Sequence, residues 1–212
     1  RRAMLAVLER FAVQAGHEIL DVRKQHFEVE NKPDGSPVTL ADQRAEKVIV
    51  SGLLRAFPDV PIVAEELVSV GEVPSALGRI FFLVDALDGT REFCAGRDEF
   101  TVNIAVIQDS VPVVGVVYSP ALKVMYAGEH DGSGVCLAQC CKVSSRGEFF
   151  ERRVIKTRAA PERQTIVATR SHMTDETKSY LEEHPEAELR NIGSSLKFCL
   201  LAEGKADLYP RF

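Results

Sequence analysis

The sequence predicts a layered α/β protein, and three regions of pattern carry that prediction. Two long segments near the start repeat apolar residues at helical spacing. A middle region of short, β-branched-rich runs is punctuated by turn residues. From about residue 165 onward, strand-like and helix-like segments alternate. With 212 residues, 45% hydrophobic and 27% charged, the chain can bury a sizeable core.

In order along the chain, Leu5, Leu8, Phe11, Ala12, Ala15, Ile19 and Val22 make an apolar stripe that predicts a first helix from residue 2 to about 26. Residues 31–37 are dense in turn formers and read as a loop. A second helix is expected from about 40 to 57. Thr39-Leu40-Ala41-Asp42 at its start is close to a capping box with Asp in place of Glu, and Pro58 stops it. Residues 60–64 read as a short strand ending in Glu65 and Glu66, and 67–79 as a mobile loop. Residues 80–84 form a second buried strand that runs into Asp85-Ala86-Leu87-Asp88-Gly89-Thr90. Two hairpins follow, 99–107 with 112–118 and 123–127 with 134–137, turning at Gln108-Asp109-Ser110 and Asp131-Gly132. Residues 144–161 are polar, charged and poorly periodic. A strand at 165–169, a helix at 174–184, a strand at 188–192, a helix at 194–203 and the start of a strand at 206–209 complete the chain. The expected division is an N-terminal half, 1–143, carrying the acids, and a partial C-terminal half, 144–212, on the substrate side.

A formal net charge of −5 argues against a surface that coats a nucleic-acid polymer, though not against a local basic pocket for a small anion. No apolar run approaches membrane-spanning length. Glu9 and Arg10 interrupt the stretch after Arg1-Arg2 too early for a secretory signal, and the lack of an initiating Met leaves an upstream start open. Five irregularly spaced cysteines fit neither a disulfide framework nor a zinc knuckle. Reduced thiols in the cytoplasm are expected, ahead of a redox role for Cys136, Cys140 and Cys141.

The chemistry concentrates at the strand ends. A strand ending in Asp-x-x-Asp-Gly-Thr delivers two acids and a hydroxyl to one rim, where they either hold a hard cation such as Mg²⁺ or merely make a polar turn. Glu65 on a neighbouring strand would join Asp85 and Asp88, and such crowding of like charge is costly without a cation. The loop also resembles that of haloacid-dehalogenase-type phosphatases, whose nucleophile and acid stand at i, i+2 in Asp-x-Asp-Gly-Thr; Asp85 and Asp88 stand at i, i+3, the wrong register for their aspartyl-phosphate mechanism.

Asp34-Gly35-Ser36-Pro37-Val38-Thr39-Leu40-Ala41-Asp42, Ala64-Glu65-Glu66 and Val84-Asp85-Ala86-Leu87-Asp88-Gly89-Thr90 resemble three ordered motifs of the inositol monophosphatase superfamily. Thr90 to Phe93, residues 99–105, 169–172, 192–200 and 209–212 look most like its 3'(2'),5'-bisphosphate nucleotidase branch. The resemblance implies an αβαβα sandwich of the inositol monophosphatase/fructose-1,6-bisphosphatase type and a Li⁺-sensitive, Mg²⁺-dependent phosphatase with two or three ions. It implies Glu65, Asp85, Asp88 and the Leu87 carbonyl as metal ligands, and Asp42, Thr90 and Glu65 as the groups that orient the attacking water. Gly89 and Thr90 would receive the phosphate. Arg91, Lys197 and Arg211 are candidates for a second phosphate, or else solvated surface charges. Gly193, Ser194 and Ser195 contact substrate or merely cap the helix that follows. His172 is expected to be structural or peripheral. The implied substrate is 3'-phosphoadenosine 5'-phosphate, cleaved to AMP and phosphate in the cytoplasm, with peripheral association to the inner membrane left open. An inositol phosphate phosphatase and a non-catalytic metal- or nucleotide-binding relative are the alternatives. Two departures stand out. Ala86 replaces the usual Pro, which should loosen the loop. The Trp-Asp motif that supplies a second-metal ligand in relatives is absent, so the expectation is a truncated chain or a crippled second metal site.

Overall fold

The structure, a computed structural model, describes residues 2–130, 132, 136–169 and 173–212. The expected turn residue Asp131, most of the expected strand start at 134–135, and Arg170, Ser171 and His172 lie outside the described residues.

Two helices, α1 (Arg2–Arg23) and α2 (Leu40–Ala56), lie on one face of a seven-stranded sheet. The sheet is formed by β3 (Ile62–Ala64), β4 (Ile80–Asp88), β5 (Thr101–Gln108), β6 (Val111–Ser119), β7 (Val124–His130), β8 (Cys136–Val143) and β9 (Phe149–Val154), neighbours in that order. All pairings are antiparallel except the first, in which β3 runs parallel to β4. The helical stripe explains the layering: Leu8, Ala12, Ile19, Ile49 and Leu53 are wholly buried against Phe82, Val102, Ile104 and Met125. Burying this many branched side chains at ~1.5–3 kcal/mol each supplies most of the drive for the layer.

A hairpin, β1 (Val29–Asn31) with β2 (Pro37–Thr39), borders what the sequence presents as a simple loop; Gly35 at φ 81° makes its turn possible. The expected loop at 67–79 begins inside a short helix, α3 (Glu65–Ser69), so Glu65 and Glu66 start a helix directly at the strand end. A one-turn helix, α4 (Thr90–Cys94), follows β4. The stretch expected to be featureless, 144–161, contains β9, an exposed edge strand paired with β8. Its exposure on both faces is why no alternation is visible, and the sheet therefore runs across the 143/144 division.

The remaining elements are β10 (Thr165–Ala168), α5 (Asp175–Glu182), β11 (Glu188–Asn191) and α6 (Leu196–Ala202). Strands β10 and β11 pair in parallel, and the strand expected at 206–209 amounts to a single bridge, Ile166 to Leu208. Leu196 and Cys199 of α6 pack with Tyr126 and Cys140 in a second, smaller cluster. Glu203, at the end of α6, is tied to Tyr126, Arg153 and Lys205, which fixes α6 beside β7 and β9. The fold is thus the expected layered α/β sandwich. All five cysteines are free thiols. No helix among the described residues is long and apolar enough to cross a membrane.

Candidate active site

The parallel pairing of β3 with β4 puts Ala64 opposite Val84, and so the next residues, Glu65 just after β3 and Asp85 within β4, come to the same end of the sheet. A bulge between Asp85 and Asp88 turns both carboxylates toward one cleft of about 400 Å³. Gly89 follows at φ 91°, a conformation that favours glycine. A Cβ there would stand 3.0 Å from the Glu99 carbonyl and 3.2 Å from Ser194. The metal loop is therefore packed directly against the 193–195 turn from the other end of the chain.

Asp42 caps α2 and also meets Thr90. Its Oδ2 accepts from the Thr39 backbone N–H (2.7 Å) and hydroxyl (2.8 Å), completing the capping box of α2. Its Oδ1 accepts from the Thr90 hydroxyl at 3.0 Å. Thr90 shares that one proton with the Leu87 carbonyl (3.1 Å), which leaves its oxygen lone pairs for a donor in the cleft. Burial pushes the Asp42 carboxyl above its usual value, against the hydrogen bonds from Thr39 and Thr90.

The acids are crowded and poorly hydrated. Burial, and then the charges of Asp88 and Glu65, push Asp85 up to about 8. Its Oδ1 is buried with no hydrogen-bond partner. Asp88 is also raised by burial, opposed by the Ser195 N–H and by Lys197. An orphaned buried oxygen between two further carboxylates is the donor set of a hard cation, and the residues present fit Mg²⁺. Among the described residues no three acidic, His or Cys side chains already form a coordination cluster. Glu65 meets Asp85 on one side and the Lys32 ammonium (2.7 Å) on the other. Lys32 also holds Glu66 at 2.7 Å. Burial works against its charge, but the hydrogen bonds and charges of Glu65 and Glu66 outweigh this and raise it above the usual lysine value.

The expected substrate cations divide. Arg91 and Arg211 line the cleft and are exposed. Lys197 is 5% exposed, so a solvated surface charge is the wrong reading for it. Its ammonium donates to the carbonyls of Ser194 (2.7 Å) and Ile192 (3.2 Å), and burial lowers its basicity against the charges of Asp88 and Glu92. Gly193 is a point of close approach: a Cβ there would fall 2.5 Å from the Glu92 side chain. Ser194 takes φ 53°, rare for a residue with a side chain. Ser195 is the N-cap of α6 by position but makes no side-chain cap; Ser194 Oγ instead accepts from the Leu196 N–H at 3.4 Å, while the Ser195 hydroxyl lies against Asn103 and Thr101.

Sequence reasoning missed three residues that hold this geometry, Lys32, Glu46 and Asn103. Lys32 carries no signal in the pattern. Glu46 is 4% exposed and accepts from the Glu66 and Leu67 N–H groups at 2.7 and 2.9 Å, capping α3 just behind Glu65. Its place four residues after Asp42, on the buried face of α2, is a signal that could have found it. Asn103 and the Ser195 hydroxyl bond each other at 2.8 Å beside the acids. An Asn inside an otherwise apolar strand was the available clue.

Over 211 residues the chain is 44% identical to the 3'(2'),5'-bisphosphate nucleotidase CysQ of Salmonella typhimurium, spanning 99% of this chain and 80% of that protein. It is 43% identical to the corresponding CysQ of Escherichia coli K12, with the same coverage. Among solved structures, CysQ from Bacteroides thetaiotaomicron, described as a bacterial member of the inositol monophosphatase family, superposes with a TM-score of 0.76. The identity is 33%, over 99% of this chain and 80% of that one. The Thermotoga maritima IMPase superposes with a TM-score of 0.79 at 25% identity, over 99% and 77%. The sequence pattern of the inositol monophosphatase family matches residues 1–212, and the chain belongs to that family.

Proposed function

We propose that this protein is a Mg²⁺-dependent 3'(2'),5'-bisphosphate nucleotidase of the cytoplasm that hydrolyses 3'-phosphoadenosine 5'-phosphate to AMP and phosphate. The observation that carries the reading is the Thr90 hydroxyl, held on Asp42 at 3.0 Å at the mouth of a cleft floored by Asp85 and Asp88. The names of the 43–44% identical relatives support the same activity.

Glu65, Asp85, Asp88 and the Leu87 carbonyl would hold Mg²⁺, which supplies positive charge for the phosphoryl and leaving oxygens. The chain's own residues do the rest. Thr90 Oγ accepts a hydrogen bond from a water and so aims its lone pair at phosphorus, in line with the ester oxygen. As the water attacks, its proton passes to Thr90 Oγ while the Thr90 proton moves to Asp42 Oδ1. Gly89 and the Gly193–Ser194 turn, packed together, shape the phosphate end. Arg91 and Arg211 face the second phosphate. The Phe198 ring is 62% exposed at the cleft wall, edge-on to Tyr209 at 5.2 Å. A purine can stack on such a ring, whereas an inositol has no π-face to use it.

The test is turnover of 3'-phosphoadenosine 5'-phosphate against inositol 1-phosphate in Mg²⁺, with EDTA and Li⁺ arms. The expected result is preference for the nucleotide and loss of activity with either addition. Turnover that survives EDTA, or preference for the inositol ester, overturns the proposal.

A further inference from the structure

Residues 192–195 arrive at the cleft from the far end of the sequence, and one of them reaches toward both acids of the metal loop. The Ser195 N–H donates a short hydrogen bond to Asp88 Oδ2. The Ser195 hydroxyl lies 2.8 Å from Asn103 Oδ1 and 2.8 Å from the hydroxyl of Thr101. Asn103 sits directly across the β4–β5 ladder from Asp85 and gives that carboxylate a side-chain hydrogen bond.

With Asp85 ionised, as a metal ligand must be, the donors in this chain run one way. An ionised Asp85 accepts and cannot donate, so the Asn103 amide must turn its NH₂ toward Asp85 and its oxygen away. That oxygen needs a donor, and the Ser195 hydroxyl supplies it. Ser195 Oγ then takes its own hydrogen bond from Thr101, whose side chain is wholly buried. A flipped Asn103 would set its carbonyl oxygen against the Asp85 carboxylate, so an ionised Asp85 selects the orientation in which Ser195 donates. The Ser195 hydroxyl backs the Asn103 amide in that orientation. The αL conformation of Ser194, φ 53°, presents Ser195 to this position, and the Lys197 ammonium on the Ile192 and Ser194 carbonyls braces the turn from behind. Backbone strain held in place by several independent bonds marks a position whose geometry is used.

We propose that Ser195 and Asn103 are positioning residues that together set the orientation of both metal-facing carboxylates, Asp88 through the Ser195 N–H and Asp85 through the Asn103 amide. The relay rests on the assignment of those carboxylates to Mg²⁺. It also links the substrate turn at 193–195 mechanically to the metal loop. Neither residue touches the reacting atoms, so their loss should act on metal affinity more than on the chemical step.

The test is direct Mg²⁺ binding by titration calorimetry in the absence of substrate, run on the parent, Ser195→Ala, Asn103→Ala and the double variant, with the Mg²⁺ dependence of turnover in parallel. Ser195→Ala keeps the N–H to Asp88 and removes only the relay. The loss of one hydrogen bond that orients a charged group predicts an increase of roughly 3–30-fold in the Mg²⁺ dissociation constant. The expected split is a raised Mg²⁺ requirement with kcat at saturating Mg²⁺ within about threefold of the parent. Because both residues act through one chain of bonds, the double variant should bind Mg²⁺ no more weakly than Asn103→Ala alone. Ser195→Thr restores the hydroxyl and should recover most of the affinity. Mg²⁺ affinity unchanged in both single variants, or losses that add fully in the double variant, overturns the relay. If Ser195→Ala does not yield folded protein, Asn103→Ala and Ser195→Thr decide by the same criteria. A parent that binds no Mg²⁺ at all removes the metal assignment itself, a result distinct from failure of the relay.

Discussion

Asp42 invites a substitution that separates its two duties. In Asp42→Asn the side-chain oxygen can stay on the Thr39 N–H and hydroxyl, now at 2.7 and 2.8 Å, so the capping box of α2 survives. The other end then presents an NH₂ to the Thr90 hydroxyl, which it cannot accept from. Losing the charge also relieves a burial penalty, since burial already holds this carboxyl above its usual value. The two effects oppose each other at about 1 kcal/mol each, so for a domain of this size the melting temperature should move by no more than ~2–4 °C. Asp42→Ala is different. It removes the cap, about 1 kcal/mol, and leaves the buried Thr39 N–H without an acceptor, about 1–3 kcal/mol more. The melting temperature should then fall by roughly 4–16 °C.

Activity should not separate the two variants. If Thr90 hands its proton to Asp42 Oδ1, both variants lose turnover by roughly 10²–10⁴-fold, although only one of them is unstable. The assays are calorimetric melting and phosphate release at saturating Mg²⁺. An Asp42→Asn protein that melts like the parent and keeps kcat within about threefold would refute the proton path and reduce Asp42 to a helix cap.

Three further outcomes follow from the same geometry. Glu46→Ala strips the acceptor from the Glu66 and Leu67 N–H groups, so α3 should fray and the Mg²⁺ requirement should rise; a melting temperature within 1 °C of the parent, as an order-of-magnitude limit, would contradict it. Phe198→Ala should raise KM for the nucleotide by about 5–100-fold, the worth of one base stack, and leave any inositol phosphate turnover unchanged; equal losses on both substrates would show that the ring is not a base platform. The pH dependence has a definite sign. With Asp85 raised from 3.8 to about 8, the metal-free fold holds a proton that the unfolded chain has released across that window. Its stabilising contribution is therefore full at the acid end and lost as pH rises toward 8. Urea unfolding of the parent and Asp85→Asn without Mg²⁺ should show a steeper decline in the parent, and parallel curves would refute the assignment.

The sequence made legible whatever depends on neighbours a few residues apart. The stripe from Leu5 to Val22 and the capping box at Thr39 to Asp42 are local patterns, and both elements form within a few residues of the expected ends. Two apolar runs that each end in acids pointed correctly to Glu65 beside Asp85, because only adjacent strands bury such short runs well. What stayed hidden is long-range or unpatterned. β9 is an exposed edge strand and so shows no alternation. Lys32 lies 33 positions from Glu65, and Ser195 lies 107 from Asp88. Such pairings come from topology, and no spacing in the chain encodes them.

The hidden contacts also show how like charge is balanced in this site. Asp85, Asp88, Glu65 and Glu66 would repel one another in a partly dry cleft. The structure meets this in two ways. Burial and the charges of Asp88 and Glu65 favour the protonated form of Asp85, and Lys32 bridges Glu65 and Glu66. The lysine thus acts on Glu65, the most exposed member of the group. Asp85 and Asp88 are instead held from behind, by Asn103 and by Ser195. Asp85 and Asp88 therefore form the preorganised part of the site, while Glu65 is the acid whose charge Lys32 shares.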